Sequence, residues 1–290
     1  MKRHACLIAG PFCLDQLPES PDTLGGSGFY AAAAAAPFAL SQLWSRVGAL
    51  DNSLRRVITA RHIDEAGMDY AGPLRRWQPG QAVDDPDANS LGSLTPESAE
   101  DLTCALAIDL PGPEMERALA ALAELDDSVG RTLLIAPRRQ HLDAQPGLLE
   151  RCCQRAGVLI LDLQDACALT AHKDPLLAIR SLQELGAKSV VLRAGVLGGL
   201  CAYQQKIYTW PSYPVMVKEP TGMSAAFAGA LCGALAEAGK CDWRSLKRSL
   251  ALASAVASLC AQGIGPKRLL ASNRSDYTDR FNRLRRNAKA

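Results

Sequence analysis

The sequence predicts an α/β protein in which a mainly parallel sheet is covered by helices on both faces. Short β-like runs alternate with helical segments over most of the 290 residues, as in strands joined by crossover helices. Gly67, Gly157, Gly186 and Gly239 stand where four of the helices should stop. Because 48% of the residues are hydrophobic, the chain can bury one large core, and we predict a single domain over residues 1–290.

The individual elements follow from local patterns. Strands are predicted at residues 5–9, 44–50, 102–108, 132–136, 158–163, 189–193 and 200–203. Helices, in which apolar residues recur every three or four positions, are predicted at residues 27–39, 53–66, 114–125, 146–156, 175–185, 224–237 and 243–261. The stretch 78–100 is rich in Pro, Asp, Gly and Ser without sustained alternation, which predicts a loop.

Composition argues against a membrane protein and against a zinc site. The longest apolar stretches, 29–40 and 223–235, are alanine-rich and shorter than the ~20 strongly apolar residues that span a bilayer. The run after the first residues is too short for a signal peptide, so we expect a cytoplasmic protein without membrane contact. The ten cysteines form no C-x-x-C pair and none lies in a ligand spacing with a histidine, which indicates reduced, buried thiols.

The last segment of the chain is basic. Residues 265–290 carry eight Lys and Arg against two Asp. Tyr277, Phe281 and Leu284 recur there at helical spacing, which predicts an amphipathic helix docked by this stripe. The solvent-facing arginines would be Arg280, Arg283, Arg285 and Arg286. A solvated basic face is a commoner explanation of such a run than nucleic-acid binding, which we do not expect.

Residues 218–229 contain the most informative local pattern. They open a long helix after a predicted strand, and Thr221 and Gly222 permit a tight turn at its start. The first backbone N–H groups of a helix have no partner within it and attract anions. We therefore predict an anion site at Thr221, Gly222, Met223 and Ser224, although an ordinary strand-to-helix turn remains an alternative.

This segment resembles the second signature of the PfkB family of sugar and nucleoside kinases, which have the ribokinase-like fold. The signature reads D-T/P-T-G-A-G-D-A/S-F, and residues 219–227 align with it without gaps. Residues 24–31 resemble the family's G-G-S-A-x-Y stretch, residues 190–199 its V-V-I-K-R-G-x-x-G-A turn, and residues 257–265 its A-S-F-x-x-x-G-x-G run. The similarities occur in the family's order over nearly the whole chain.

The resemblance implies a three-layer α/β/α domain with a reduced lid, in which residues 69–101 are a degenerate lid region. Its substrate-side residues would be Asp15, Gly25, Gly26 and Tyr30. Its nucleotide-binding residues would be Arg193, Gly195, Gly198, Gly263 and Gly265, with the phosphates directed toward Thr221 and Gly222. Family members often dimerise through lid strands, so a reduced lid weakens the expectation of a homodimer.

ATP and Mg²⁺ are the cofactors that the resemblance implies. The family's N-x-x-E motif, which organises Mg²⁺ through water, corresponds to residues 162–165, and Asp162 and Asp165 keep its acidity with altered side-chain lengths. Binding of Mg²⁺ is therefore expected to be weak.

The chain departs from the family pattern where the chemistry occurs. Ala225 stands at the position of the aspartate that takes the proton from the substrate hydroxyl. Ser224 and Met223 add bulk where glycine and alanine let the backbone approach the phosphoryl group. A positioned general base contributes ~10²- to 10⁴-fold to a rate. We therefore predict a pseudokinase that binds a small sugar, nucleoside or nucleotide, or a protein partner, without turnover.

Two alternatives leave open whether the protein is an enzyme. One is an active ATP-dependent kinase with a relocated base, for which Asp162, Asp165 and Glu219 are candidates. The other is a structural subunit of an assembly, whose pocket is filled by Met223 and Phe29.

Overall fold

A ten-stranded, mainly parallel sheet forms the middle layer of the protein. The structure, a computed structural model, describes residues 4–80, 91–92, 101–126 and 131–287. The strands in chain order are β1 (Ala5–Ala9), β2 (Cys13–Leu17), β3 (Ser20–Gly25), β4 (Leu40–Arg46), β5 (Ile63–Asp64), β6 (Met68–Asp69), β7 (Arg76–Trp77), β8 (Leu102–Ile108), β9 (Thr132–Ala136), β10 (Val158–Asp162), β11 (Ser189–Arg193), β12 (Gly199–Tyr203) and β13 (Lys206–Trp210). The spatial order is β13-β12-β11-β10-β9-β8-β1-β4-β5, and β6 also pairs with β4.

Helices cover both faces of this sheet. They are α1 (Ser27–Ala35), α2 (Asn52–Ala60), α3 (Gly112–Asp126), α4 (Arg139–Ala144), α5 (Leu148–Arg155), α6 (Leu163–Leu169), α7 (Pro175–Glu184), α8 (Met223–Ala238), α9 (Trp243–Cys260), α10 (Lys267–Ala271) and α11 (Arg274–Asn287). The core on one face includes residues of α1, α8, α9 and α11, and the core on the other includes residues of α3, α5 and α7. This arrangement confirms the predicted three-layer α/β/α fold.

The central strand β1 shows why the sheet is buried on both sides. Its side chains alternate between the two cores, with Cys6 and Ile8 in one and Leu7 and Ala9 in the other. Successive strand residues point to opposite faces, so a continuous apolar run gives both faces something to bury. The pairs β1–β4, β1–β8, β8–β9, β9–β10 and β10–β11 are parallel. The carboxyl ends of these strands therefore meet at one edge, where ligands bind in open α/β sheets.

Helices α1 and α8 pack against each other through alanine and glycine. A Cβ atom added at Gly229 would overlap the backbone of Ala31, and one at Gly233 would lie 2.7 Å from the carbonyl oxygen of Ala35. The two backbones can approach this closely only because one helix lacks side chains at the contact. The alanine run at residues 31–36 is therefore a packing surface, and it brings the first turns of both helices together.

A second, three-stranded sheet has the order β3-β2-β7. The hairpin β2–β3 is antiparallel and pairs Cys13 with Gly25, while β7 runs parallel to β2. The sequence analysis assigned no strands to residues 13–25, because alternation there is interrupted by polar and turn residues. The predicted loop and lid region is described only in part, since residues 81–90 and 93–100 lie outside the described residues.

Several predicted boundaries were wrong. The strand predicted at residues 44–50 is β4, which ends at Arg46 because Gly48 takes a positive φ of 80°. The helix predicted at 53–66 is α2, which ends at Ala60, just before His62 with its φ of 60°. The local patterns also gave no prediction of β5, β6, β7, β13, α4, α6 and α10.

The basic C-terminal segment forms the predicted amphipathic helix with one difference. Tyr277, Phe281 and Leu284 are buried on the core side of α11. Arg280, predicted to face solvent, is instead half-buried and hydrogen-bonded to α9. All ten cysteines are free thiols, and none of the described helices is both long and apolar enough to cross a membrane.

Replacing Gly229 with alanine should destabilise the protein. Overpacking of a core typically costs about 1–3 kcal/mol, whereas alanine in a helix is by itself ~1 kcal/mol better than glycine. We expect urea denaturation to give a lower free energy of unfolding for Gly229→Ala, and a smaller loss for Gly233→Ala, whose added Cβ has more room. An increase in stability for Gly229→Ala would contradict the close contact of α1 with α8.

Candidate functional site

The first turn of α8 lies at the carboxyl edge of the sheet and presents free backbone N–H groups. Gly222 precedes the helix with φ 80° and ψ −8°, a conformation that L side chains rarely adopt. The first hydrogen bond that closes the helix runs from the Ala226 N–H to the Gly222 carbonyl at 2.7 Å. The N–H groups of Ser224 and Ala225 precede this bond, so the helix does not use them.

Glu219 holds the turn before α8. Its Oε1 accepts hydrogen bonds from the backbone N–H and the hydroxyl of Thr221, at 3.0 and 2.6 Å. Its Oε2 is buried without a hydrogen-bond partner among the described residues. The Thr221 carbonyl in turn accepts from the Cys260 thiol at 3.8 Å, which ties the turn to the end of α9.

Asp15 and Tyr30 form a buried pair next to this turn. Asp15 on β2 and Tyr30 on α1 are each 1% exposed, and the Tyr30 hydroxyl donates to Asp15 Oδ2 at 3.0 Å. A Cβ atom at Gly222 would overlap the Tyr30 ring, so the ring lies directly on the α8 turn. Tyr30 therefore fills the space between the hairpin β2–β3 and the N-terminal end of α8 at residues 222–225, the α8 mouth.

Burial raises the pKa of Asp15 to about 6, because the carboxylate loses hydration that its partners replace only in part. Hydrogen bonds from the Cys13 thiol, the Tyr30 hydroxyl and the Gly26 backbone act in the opposite direction, and the negative charge of Glu219 raises the pKa further. A Cβ atom at Gly25 would overlap the Asp15 carboxyl group, which explains a glycine at that position.

A polar cavity of about 360 Å³ opens on one side of the α8 mouth. Three charged residues that follow strand ends, Asp109, Arg138 and Asp162, line it together with Arg193 and Ser224. The charges pair across the strands, with Arg138 Nε at 2.9 Å from Asp109 Oδ2 and Arg193 Nη2 at 3.1 Å from Asp162 Oδ1. The cavity therefore has charged walls in which these positive and negative side chains neutralise one another.

A second cavity of about 250 Å³ begins at the same helix mouth and extends toward α9. Asp162, Arg193 and Ser224 line it at the α8 mouth, and Tyr213 and Ser258 are also part of its lining. The remaining lining includes Gly195, Val196, Gly198, Trp210, Val215, Val217, Met223, Phe227 and Ser254. One end is polar and lies at a helix N-terminus, and the rest is largely apolar.

The structure brings together only part of the predicted nucleotide site. Arg193, Gly195 and Gly198 line the second cavity, whereas Gly263 and Gly265 are buried away from it. A Cβ atom at Gly265 would contact Leu17, Thr23 and the Tyr30 hydroxyl group, so this glycine lies on the substrate side. The role of Gly263 and Gly265 in nucleotide binding stays a prediction.

Sequence reasoning missed the cluster of Ser27, Asp109 and Arg138. The Ser27 hydroxyl donates to Asp109, which also pairs with Arg138. Asp109 follows β8 directly and Arg138 lies two residues beyond β9. The rule that ligands bind beyond the carboxyl ends of parallel strands was a signal that could have found both.

Asp162 and Asp165 fit a magnesium ion only with help from a ligand. Both line the polar cavity of about 360 Å³. Burial, together with the negative charge of Asp162, raises the pKa of Asp165. In the part of the chain that the structure describes, no group of three or more His, Cys, Asp or Glu residues is arranged to hold a metal ion. Proteins often hold Mg²⁺ through one or two carboxylates plus phosphate oxygens, and these two residues fit that arrangement.

Comparison with known proteins identifies the family. Residues 88–272, more than half of the chain, match the family model described as pfkB family carbohydrate kinase. The chain belongs to the PfkB family. This membership confirms the resemblance found in the sequence. Among curated proteins, none matches the sequence.

Solved structures agree with PfkB membership at the level of the fold. Aminoimidazole riboside kinase from Salmonella enterica superposes with a TM-score of 0.76 at 19% identity, covering 96% of this chain and 100% of that one. Fructokinase from Vibrio cholerae O395 gives 0.77 at 17% identity, covering 96% and 99%. A nucleoside kinase from Burkholderia thailandensis gives 0.71 at 18% identity, covering 96% and 98%. Identities this low show a shared fold and nothing finer.

The buried Asp15 should make the protein less stable as the pH rises. The pKa of Asp15 in the folded state, about 6, lies above the ordinary aspartate pKa of 3.8. Between these two pH values the native state therefore keeps a proton that the unfolded state releases. The protonated form of Asp15 adds roughly 3 kcal/mol to the free energy of unfolding below pH ~4, and this contribution is lost as the pH rises above ~6. Urea denaturation at pH 4 and pH 7 should show this loss in the wild type and not in Asp15→Asn.

The matched control is Asp22→Asn on the same hairpin. Hydrogen bonds from Gln16 and Arg76 lower the pKa of Asp22, so its linkage has the opposite sign. This variant should keep the loss of stability between pH 4 and pH 7. An Asp15→Asn protein with the wild-type pH dependence would show that Asp15 ionises normally.

Proposed function

We propose that this PfkB protein binds a nucleotide at the α8 mouth without transferring its phosphoryl group. The observation that carries the proposal is the first turn of α8, where Ala225, 4% exposed, provides a methyl group in place of a proton acceptor. The turn keeps two backbone N–H groups for an anion, while the position aligned with the family's catalytic aspartate has no base. Anion binding and proton abstraction are thus separated in this chain.

The substrate side supports the same proposal. The Tyr30 ring fills the space beside the α8 turn, and its hydroxyl donates a hydrogen bond to the Asp15 carboxyl group. A sugar that used Asp15 would have to displace a buried aromatic ring. The prediction that Met223 and Phe29 fill this space requires a change, because Met223 lines the second cavity and Phe29 packs edge-on against Phe12 at 5.8 Å.

Two of the three candidates for a relocated base are engaged in other contacts. Asp162 is paired with Arg193, and Glu219 accepts two hydrogen bonds from Thr221 through one oxygen. A carboxylate oxygen that already accepts a hydrogen bond or pairs with an arginine has less capacity to take a proton from a substrate. These contacts favour the pseudokinase over the active-kinase alternative.

The second cavity supports a nucleotide as the ligand. Its polar end at Arg193 and Ser224 suits phosphates, and its apolar end suits a base. The similar structures include kinases solved with an ATP analog or with ADP. Asp162 and Asp165 would hold a Mg²⁺ ion that arrives with the phosphates, supplying charge neutralisation.

Rebuilding the family motif should restore part of the turnover, and removing Tyr30 as well should restore more. The wild type is expected to show no sugar-dependent ATP consumption, and Ala225→Asp alone should restore little. The triple variant Met223→Ala, Ser224→Gly, Ala225→Asp should exceed the single change, and adding Tyr30→Ala should raise activity further by opening the substrate side. A coupled ATPase assay against a panel of sugars and nucleosides measures this series, in which non-additivity is expected.

Two outcomes bear on the proposal directly. The variant Tyr30→Ala without the motif changes controls for the opened space and should remain inactive. Robust wild-type turnover that is abolished by replacing Asp162 or Glu219 would establish an active kinase with a relocated base.

ATP should bind the wild type and depend on Arg193. Loss of a charged hydrogen-bond donor costs about 1.5–3 kcal/mol, or about 10- to 100-fold in affinity. Calorimetric titration should show this weakening for Arg193→Ala and wild-type affinity for Arg180→Ala, an exposed arginine on α7. Absence of heat up to millimolar ATP at two temperatures would contradict nucleotide binding.

A further inference from the structure

The C-terminal helix α11 is fixed to the body of the protein at its beginning. Tyr277 is fully buried, and its hydroxyl donates to the Leu269 carbonyl at 3.2 Å. Arg61 reaches this region from α2, donating to the Ser272 carbonyl at 2.8 Å and to the Tyr277 hydroxyl at 2.9 Å. The following turn of α11 is therefore held in a defined position against α9.

That turn carries Arg280, which contacts two residues that line the second cavity and belong to different segments of the chain. Its Nη1 donates to the Ser258 hydroxyl at 2.7 Å, and its Nη2 donates to the Gln262 side-chain oxygen. Its guanidinium carbon lies 4.9 Å from the centroid of the Tyr213 ring. Ser258 belongs to α9, whereas Tyr213 belongs to the segment between β13 and α8, and both line the cavity.

The segment that carries Tyr213 has few other attachments. Residues 211–222 contain no helix or strand. Two hydrogen bonds link them to the end of α9, from the Lys218 N–H to the Ala261 carbonyl at 2.8 Å and from the Cys260 thiol to the Thr221 carbonyl at 3.8 Å. Met216 and Val217 are 89% and 42% exposed, so little apolar burial holds this part in place. Its conformation therefore depends on a small number of contacts, of which the Arg280–Tyr213 contact is one.

We propose that Arg280 is a positioning residue that ties the Tyr213 wall to the Ser258 wall and thereby sets the affinity of the cavity for the base of a nucleotide. The guanidinium lies over an aromatic ring while its N–H groups donate to Ser258 and Gln262 from its own plane, which suits arginine better than lysine. Because Tyr213 and Ser258 are lining residues outside the polar group of Asp162, Arg193 and Ser224, where the phosphates are proposed to bind, we assign the effect of Arg280 to the base and not to the phosphates. This inference rests on the nucleotide binding proposed above.

The experiment compares ATP with inorganic triphosphate on the full chain. Without the Arg280 contacts, the segment that carries Tyr213 would adopt the conformation that binds the base only part of the time. If that fraction is about a tenth, Arg280→Ala should weaken the affinity for ATP about tenfold. Triphosphate, which lacks a base, should bind both proteins equally by calorimetry. Arg280→Lys should recover part of the ATP affinity, because an ammonium can keep the ring or the Ser258 contact. Arg283→Ala, an exposed change one turn further along α11, is the matched control and should have no effect.

Hydrogen exchange on the ligand-free proteins gives a second measurement. The peptide 211–218 should exchange faster in Arg280→Ala than in the wild type or in Arg283→Ala. Equal loss of ATP and triphosphate affinity would indicate general destabilisation and overturn the proposal, as would unchanged ATP affinity or unchanged exchange. If the wild type binds neither ligand, the proposed function fails and the affinity role of Arg280 fails with it, whereas faster exchange would still establish the tie between the walls.

Discussion

The close packing of α1 on α8 is the constraint on which the candidate site depends. The helices approach until Gly229 meets the backbone of Ala31, a contact that no larger side chain could share. Each helix also begins at the carboxyl edge of the sheet, so the same packing fixes both of their N-termini. Tyr30 on α1 and Gly222 before α8 meet as a direct result. The site is thus built on two rigid helices whose separation is set by the absence of side chains.

This constraint places the Tyr30 ring against the α8 turn. A residue in the first turn of α1 must point into the space between the hairpin β2–β3 and the α8 turn, and a smaller side chain would leave that space open. The phenol fills it with an aromatic ring and satisfies the buried Asp15 carboxyl group with a hydroxyl. Tyr30 thus fills this space and, together with the Cys13 thiol and the Gly26 backbone, keeps Asp15 from being a buried, unpaired carboxyl group, which would be costly.

The other side of the α8 mouth is organised by charge. The parallel strands end together, and the residues that follow them form the cross-strand pairs Asp109–Arg138 and Asp162–Arg193. These pairs keep the carboxyl edge polar and compensated, while the neighbouring cavity extends outward to a wall that α11 supports through Arg280. The C-terminal helix, read from the sequence as a solvated basic face, thus contributes to the geometry of a ligand cavity.

The sequence by itself determined the α/β class, the order of most strands and helices, the PfkB family and the absence of a carboxylate at Ala225. These follow from local alternation, from helix periodicity and from residue identity, all of which are properties of neighbouring residues. Boundaries at Gly48 and His62 depended on backbone conformations that the pattern does not reveal. Three features required the long-range contacts of the fold: the contact of the Tyr30 ring with the α8 turn, the position of Gly265 near the Tyr30 hydroxyl group, and the partial burial of Arg280. Each of these depends on contacts between residues far apart in the chain, for which a single sequence contains no local signal.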